Sequence, residues 1–142
     1  MILQTLKRFA PFFAIFMLTV PAAMAAAPSA RTGARSAYDP LTESVVLFGG
    51  VTAIDLATGQ AYNPNGTWEF DGTRWIRRFP GGGQPPGRSS HIMVYDSNSD
   101  RIVMFGGRSG NDLLDDTWLY RGDWFNREWV RLDTPNAPVA RQ

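Results

Sequence analysis

The chain has 142 residues, of which 44% are apolar, and its formal net charge is +1. This length accommodates one small domain, and the near-neutral charge excludes the basic footprint of a nucleic-acid-binding protein. The absence of cysteine excludes both a disulfide framework and a lipid anchor attached at a cysteine. Stability must therefore come from burial of apolar surface.

The first 26 residues have the pattern of a secretory signal peptide of bacterial type. Lys7 and Arg8 form a positive start, an apolar stretch follows over residues 9–20, and small residues surround Ala26. The apolar stretch of 12 residues is shorter than the roughly 20 needed to span a bilayer. The sequence therefore predicts a signal peptide cleaved within a few residues of Ala26. The protein is then exported to the periplasm or the medium, with no membrane association after cleavage.

The remaining sequence contains an internal repeat. Residues 31–50 align without a gap on residues 88–107, at an offset of 57. Two pairs of tryptophans align further along, at offsets of 50 and 54: Trp68 with Trp118, and Trp75 with Trp129. The length differences fall between the matched blocks, as expected for variable loops that join similar strands.

Each copy is predicted to form four short β-strands. In the second copy they cover Ser90 to Tyr95, Arg101 to Phe105, Thr117 to Tyr120 and Glu128 to Leu132. These segments are rich in β-branched and aromatic residues, and turns rich in Asp, Asn and Ser or Thr separate the first two strands of each copy. No long segment has helical periodicity. An all-β fold is therefore expected.

The repeated residues resemble the Kelch repeat of β-propeller proteins. The signature positions are Phe48, Gly49, Gly50, Trp68 and Trp75 in the first copy, and Arg88, Tyr95, Phe105, Gly106, Gly107, Trp118 and Trp129 in the second. The first copy matches less well at its start, where Ala34 stands in the position of His91. The resemblance implies two four-stranded antiparallel Kelch-type blades of a partial β-propeller, preceded by the signal peptide.

The expected organisation follows from this resemblance. Residues 1–26 are the signal peptide, 27–84 the first repeat, 85–137 the second repeat and 138–142 the start of a third. Because propellers typically have four to eight blades, two blades favour an N-terminal fragment of a longer protein. The alternative is self-association that completes a propeller, for instance three copies forming six blades.

The glycine pairs and the tryptophans are predicted to have structural roles. A glycine pair after an apolar strand allows positive φ and close approach of a neighbouring backbone. The tryptophans recur at matched positions, so they are predicted to pack one blade against the next.

No metal or cofactor site is predicted. Asp96-x-Asn98-x-Asp100 imitates the start of a calcium loop but lacks the later glycine and glutamate, so a hairpin turn is favoured. The glycine-rich segment 81–87 lacks the Lys-Ser/Thr ending of a phosphate-binding loop and is interpreted as a linker. The Asn- and Asp-rich loop 111–116 is interpreted as solvated, although the sequence leaves open whether it binds a cation.

No catalytic residue is predicted. His91 is the single histidine, so a histidine metal triad cannot form within this chain, and a structural role is favoured. Ser89 and Ser90 adjoin it without the glycine-flanked turn of a hydrolase nucleophile.

The leading functional hypothesis is a binding module. The loops Val51 to Gly66 and Arg108 to Asp115 would form the contact surface for a protein or a glycan, the ligand classes that the resemblance implies. The enzyme alternative is part of a secreted propeller enzyme, similar to galactose oxidase or to sialic acid epimerases, with its active site outside this chain. A third hypothesis is a non-functional fragment.

Overall fold

The structure is a computed structural model that describes residues 27–133, 135 and 138. The predicted signal peptide and most of the predicted third repeat lie outside these residues. The described residues form 13 strands: β1 (Arg35–Asp39), β2 (Ser44–Phe48), β3 (Ala53–Ile54), β4 (Ala61–Tyr62), β5 (Thr67–Phe70), β6 (Trp75–Arg78), β7 (Gly81–Gly82), β8 (Ile92–Asp96), β9 (Arg101–Phe105), β10 (Arg108–Ser109), β11 (Asp112–Leu113), β12 (Thr117–Arg121) and β13 (Glu128–Leu132). No helix occurs among them, which confirms the all-β class.

The first sheet is an antiparallel meander in the order β1-β2-β5-β6. Burial alternates along the central strand β2, so Ser44, Val46 and Phe48 are fully buried while the residues between them are only half-buried. The hairpin β3–β4 is inserted between β2 and β5. The sheet therefore has one face in the core of the protein and one face away from it.

The second sheet has the order β7-β13-β12-β9-β8. Strands β8, β9, β12 and β13 form the same antiparallel meander, and the hairpin β10–β11 is inserted between β9 and β12. The short strand β7 pairs parallel with β13, with Gly82 opposite Trp129. The second sheet is thus one strand wider than the first.

Corresponding residues of the two sheets have the same cross-strand neighbours. In the first sheet Leu47 lies opposite Trp68, which lies opposite Arg77. The corresponding row in the second sheet is Met104, Trp118 and Arg131. The offsets of 57, 50 and 54 between these residues are those of the sequence alignment. The two meanders are therefore equivalent in register as well as in strand order.

The two sheets pack face to face, and we call the packed faces the inner faces. The first sheet contributes Phe48 and Val46, and the second contributes Trp129 and Tyr120. The rings of Phe48 and Trp129 are 5.3 Å apart in an edge-to-face arrangement, a favourable geometry for aromatic pairs. Strand β1 lies against β8, so the first strands of the two meanders adjoin each other.

Three features differ from the sequence-based expectation. Ser90 lies outside the strand, which begins at Ile92, and has a φ of 56°. The segments expected to be loops contain the hairpins β3–β4 and β10–β11, whose two-residue strands are too short to produce a hydrophobic period. The segment 81–87, expected to be a linker, begins with strand β7. Glycine has a low β-propensity, so this strand forms because it pairs with β13.

Among the residues that the structure describes, no helix is long and apolar enough to cross a membrane.

Candidate functional site

The two inserted hairpins lie against each other at one end of the sheets. Asn63, just after β4, donates from its side-chain amide to the Gly50 carbonyl at 3.2 Å. Its side-chain oxygen accepts a hydrogen bond from the Gly110 backbone N–H, in the turn of β10–β11, at 3.0 Å. Gly110 has a φ of 59°, and a Cβ at this position would meet the Gln60 side chain at 3.4 Å. One asparagine thus joins the segments 51–66 and 108–115 into a continuous surface.

The β3–β4 hairpin presents apolar side chains to solvent. Leu56 is 96% exposed, Tyr62 65% and Ile54 57%. The two strands line a shallow cavity of about 470 Å³. The turn is held by Asp55, whose carboxylate accepts from the Ala57 N–H at 2.9 Å, a bond that lowers the pKa of Asp55. Exposed apolar side chains on an ordered hairpin are typical of a protein-binding surface.

The signature glycines all have positive φ, as predicted for the glycine pairs. The angles are 69° and 97° for Gly49 and Gly50, and 66° and 92° for Gly106 and Gly107. A Cβ on Gly49 would collide with the Arg88 carbonyl. The Gly50 N–H donates to that carbonyl at 2.7 Å, so the glycine pair of the first sheet contacts the chain entering the second.

Trp129 packs between the two sheets. Its ring is fully buried between the sheets, and its Nε1 donates to the Thr67 hydroxyl of the first sheet at 2.9 Å. Trp118 and Trp68 are 6% and 8% exposed. Trp75 is half-buried on the opposite face of the first sheet, where its ring centroid lies 5.2 Å from that of Phe70.

Arg88 holds the entry to the second sheet. Its fully buried guanidinium donates to both carboxylate oxygens of Asp116, at 2.6 and 2.8 Å, and to the Gly106 carbonyl at 2.9 Å. Although burial raises the pKa of Asp116, the hydrogen bonds from Arg88 and Trp118 outweigh burial and lower it. Asp116 is therefore committed to a structural ion pair and does not serve as a free ligand in the loop 111–116.

The remaining signature residues are Tyr95 and Phe105. Tyr95 donates its hydroxyl to Asp100 at 2.7 Å, and this hydrogen bond raises the pKa of Tyr95 to about 12. Phe105 is half-buried at the end of β9. Tyr95 packs at the edge of the core between the sheets, whereas Phe105 lies on the other face of the second sheet.

A buried polar cluster lies at the centre of the interface between the sheets. Glu69, fully buried on β5, accepts from the Tyr120 hydroxyl at 2.9 Å and from Arg78 Nε at 2.7 Å. Arg127 reaches across from the second sheet and places Nε 2.9 Å from Glu69 Oε1 and Nη1 3.0 Å from Asp39 Oδ2. The Arg127 Nε has close contact with Glu69 but lacks the alignment of a hydrogen bond. The cluster pairs two carboxylates with two guanidinium groups.

This cluster was not predicted from the sequence. Glu69 lies between Trp68 and Phe70 in a strand, on the same face as the buried Thr67. A signal was present, because the equivalent residue at the offset of 50 is Leu119. A charged residue in one copy of a repeat, at the position where the other copy has an apolar residue, indicates that the packed faces of the two copies differ locally.

A second cavity, of about 640 Å³, lies beside the outer strand β6. Phe79 and Phe125 in its lining are 82% and 88% exposed. Arg77 stacks on the Phe79 ring at 5.1 Å. Arg78 and Arg127 also line it, but their charges are matched by Glu69 and Asp39. The cavity therefore combines exposed aromatic rings with the charged side chains of Arg77 and Glu128.

His91 is buried in the interface between the sheets. Its ring lies edge-on to Phe48 with the centroids 5.9 Å apart, and neither ring nitrogen has a hydrogen-bond partner among the described residues. Burial, followed by the positive charges of Arg88 and Arg35, lowers the pKa of His91 to about 3. The imidazole is thus neutral at physiological pH, in a structural position.

The Asp-rich segment after β8 is a hairpin turn. Asp96 accepts from the Asn98 N–H at 3.0 Å and from the Ser99 hydroxyl at 2.6 Å, and Asp100 has a φ of 52°. Asp39 makes the same contacts in the equivalent turn of the first sheet. Within residues 27–133, no three His, Asp or Glu side chains come together to hold a metal ion.

A scan of the chain against known protein families finds no match.

Proposed function

We propose that the chain is an exported binding module built from two Kelch-type propeller blades, and that it contacts a protein ligand through its joined hairpins. The single observation that carries the binding role is the bond between Asn63 and Gly110, which ties the two hairpins into one surface. The Kelch assignment itself rests on the resemblance of the signature residues in the sequence.

The arrangement of the sheets supports the propeller part of this proposal. Two equivalent four-stranded meanders stack face to face, and β1 adjoins β8. A propeller stacks such sheets around an axis, with the first strand of each near the centre. The glycine pairs lie where the backbone of the segment Arg88–Ser89 approaches closely, which agrees with the crowding expected near an axis.

The chemistry of the hairpin surface favours a protein over a glycan. Ile54 and Leu56 are aliphatic and highly exposed, and only Tyr62 offers an aromatic face to a sugar ring. Protein interfaces commonly centre on such apolar side chains surrounded by polar ones, here Asp55 and Gln60. The alternative of a secreted propeller enzyme rests on the resemblance alone.

Site-specific photo-crosslinking tests the binding role. A photoreactive amino acid at Leu56 is compared with one at Leu41, an apolar residue that is 61% exposed in the β1–β2 turn. We expect a discrete crosslinked protein from position 56 and none from position 41, and Tyr62→Ala should reduce its yield. Equal crosslinking from both positions, or binding to a glycan array that Leu56→Asp does not alter, would contradict the proposal.

A further inference from the structure

Each sheet has an inner face, which packs on the other sheet, and an outer face on its opposite side. The outer face of the first sheet contains Tyr38, Val45, Leu47, Phe70 and Trp75. The outer face of the second sheet contains Ile92, Val94, Val103, Phe105, Leu119 and Val130. Among these side chains, Tyr38 is 54% exposed, whereas Leu119 is only 6% exposed.

Two rows of side chains on the outer face of the second sheet are mainly apolar, and its third row holds the charged residues Asp96, Arg101, Arg121 and Glu128. Ile92 is 62% exposed and Val94 52%, and Val103 and Phe105 are half-buried by their neighbours in the same sheet. Val94 corresponds to Ala37, which the other sheet covers in the first copy. An apolar sheet face of this kind is normally covered by another layer.

The outer face of the first sheet has the composition that covers such a surface. At the aligned positions, Val45 corresponds to Ile102 and Leu47 to Met104, both of which are buried on the inner face of the second sheet. Trp75 corresponds to Trp129, which packs across the interface. The outer face of the first sheet therefore has residues similar to those of the inner face of the second sheet, which packs against the first sheet.

The polar contact of Trp129 can be repeated between the outer faces. In the interface between the sheets, Trp129 Nε1 donates to the Thr67 hydroxyl at 2.9 Å. The residue equivalent to Thr67 is Thr117, which lies beside Phe105 on the outer face of the second sheet. The indole of Trp75 could thus find the same acceptor.

One pair of residues that interact across the interface is replaced, at both aligned positions, by apolar residues on the outer faces. Tyr120 donates its hydroxyl to Glu69 across the interface at 2.9 Å. On the outer faces, the residue equivalent to Tyr120 is Phe70 and the residue equivalent to Glu69 is Leu119. The hydroxyl and the carboxylate are both absent, so neither group would be buried without its partner. This matched loss favours the outer face of the first sheet as the partner of the outer face of the second.

We propose that the chain assembles head to tail with copies of itself, the outer face of the first sheet of one copy packing on the outer face of the second sheet of the next. Such a contact joins two different surfaces, so it closes into a ring when the rotation between copies permits. The assembly does not depend on the binding role of the hairpins, because the outer-face residues lie on the strands of the two meanders and Leu56 lies in the inserted hairpin β3–β4.

Sedimentation velocity of the full chain, purified after export, tests the assembly. We expect one species at an integral multiple of the monomer mass, and a monomer at all concentrations would overturn the proposal. Val94→Arg and Trp75→Arg should each weaken self-association by about tenfold or more, because an arginine would be buried in an apolar contact. Leu56→Asp is the matched control on the hairpin and should leave the mass unchanged.

Mixing the two arginine variants distinguishes a head-to-tail contact from a symmetric one. Val94→Arg keeps the outer face of its first sheet, and Trp75→Arg keeps the outer face of its second sheet. The mixture should therefore form a one-to-one dimer that grows no further, whereas each variant alone is a monomer. If Val94→Arg loses its near-ultraviolet circular dichroism, Ile92→Arg replaces it. Oligomers of folded single variants, or no dimer in the mixture, would contradict the proposal.

Discussion

The hydroxyl of Tyr120 and the carboxylate of Glu69 meet at 2.9 Å across the interface between the two sheets. Both groups are buried, and burial together with the negative charge of Glu69 raises the pKa of Tyr120. The hydrogen bond therefore joins the two sheets with a neutral phenol and a charged acceptor. Its equivalents on the outer faces, Phe70 and Leu119, are apolar.

Removal of this hydroxyl should destabilise the fold. We expect Tyr120→Phe to lower the free energy of unfolding by roughly 1.5 to 3 kcal/mol, because a hydrogen bond to a charged group is lost and Glu69 loses one of its partners. Urea unfolding followed by tryptophan fluorescence measures the change. Tyr62→Phe, at a 65% exposed position, is the control and should have no effect. Equal effects of the two substitutions would contradict the role assigned to Tyr120.

Loss of Arg127 should be more severe. Its side chain is only 4% exposed and contacts both Asp39 and Glu69, so Arg127→Met leaves the buried Asp39 without its counter-charge and Glu69 with Arg78 alone. We expect a loss of about 3 to 5 kcal/mol in the free energy of unfolding. Arg74→Met, which breaks the ion pair of an arginine that is 65% exposed, should cost less than about 1 kcal/mol. A small effect at Arg127 would show that the cluster does not support the interface.

Stability should depend on pH through His91. Its pKa is about 3 in the folded chain and about 6.5 when unfolded, so between these values the unfolded state binds more protons. The stability contributed by neutral His91 is therefore lost as the pH falls below 6.5, by at most roughly 1.4 kcal/mol per pH unit. His91→Phe should flatten this dependence in urea unfolding between pH 7 and 5. An unchanged slope would contradict the assignment.

The close approach at Gly49 should make an alanine costly. Gly49→Ala combines a φ of 69° with a collision against the Arg88 carbonyl, whereas Gly59→Ala has a φ of 71° and no atom within 4 Å of the new Cβ. We expect a cost of roughly 1 to 2 kcal/mol at Gly59 from the backbone alone. The cost at Gly49 should be greater by about 1 to 3 kcal/mol, because the contact must also open. Thermal unfolding of both variants provides the comparison.

The sequence indicated much of the fold but little of the interface. The internal repeat aligned Trp118 and Trp129 with tryptophans of the first copy, and the structure has them in equivalent cross-strand rows. This agreement is expected because strand register follows the alternation of side chains. The strand at Gly81–Gly82 could not be predicted, since its pairing with β13 depends on tertiary contacts and not on its residues. Arg127 likewise gave no local signal, because its partners are distant in sequence.

The location of the candidate site in the sequence could be predicted, but the contacts that form it could not. The segments 51–66 and 108–115 were identified as variable insertions between matched blocks, which is a property of the alignment. That Asn63 bonds to the turn at Gly110, and that Leu56 is left exposed, depends on how the two insertions meet in space. Two short hairpins with no periodicity of their own carry no sequence signal for that contact.

The pairing of the outer faces is tested most directly by combining substitutions at Phe70 and Leu119. Phe70→Tyr and Leu119→Glu restore, on the outer faces, the pair that Tyr120 and Glu69 form inside. The dissociation constant of the assembly is measured by sedimentation over a dilution series, for each single variant and for both together. Phe70→Tyr should weaken assembly when residue 119 is leucine and strengthen it when residue 119 is glutamate. The same effect of Phe70→Tyr in both backgrounds would show that these two positions do not meet.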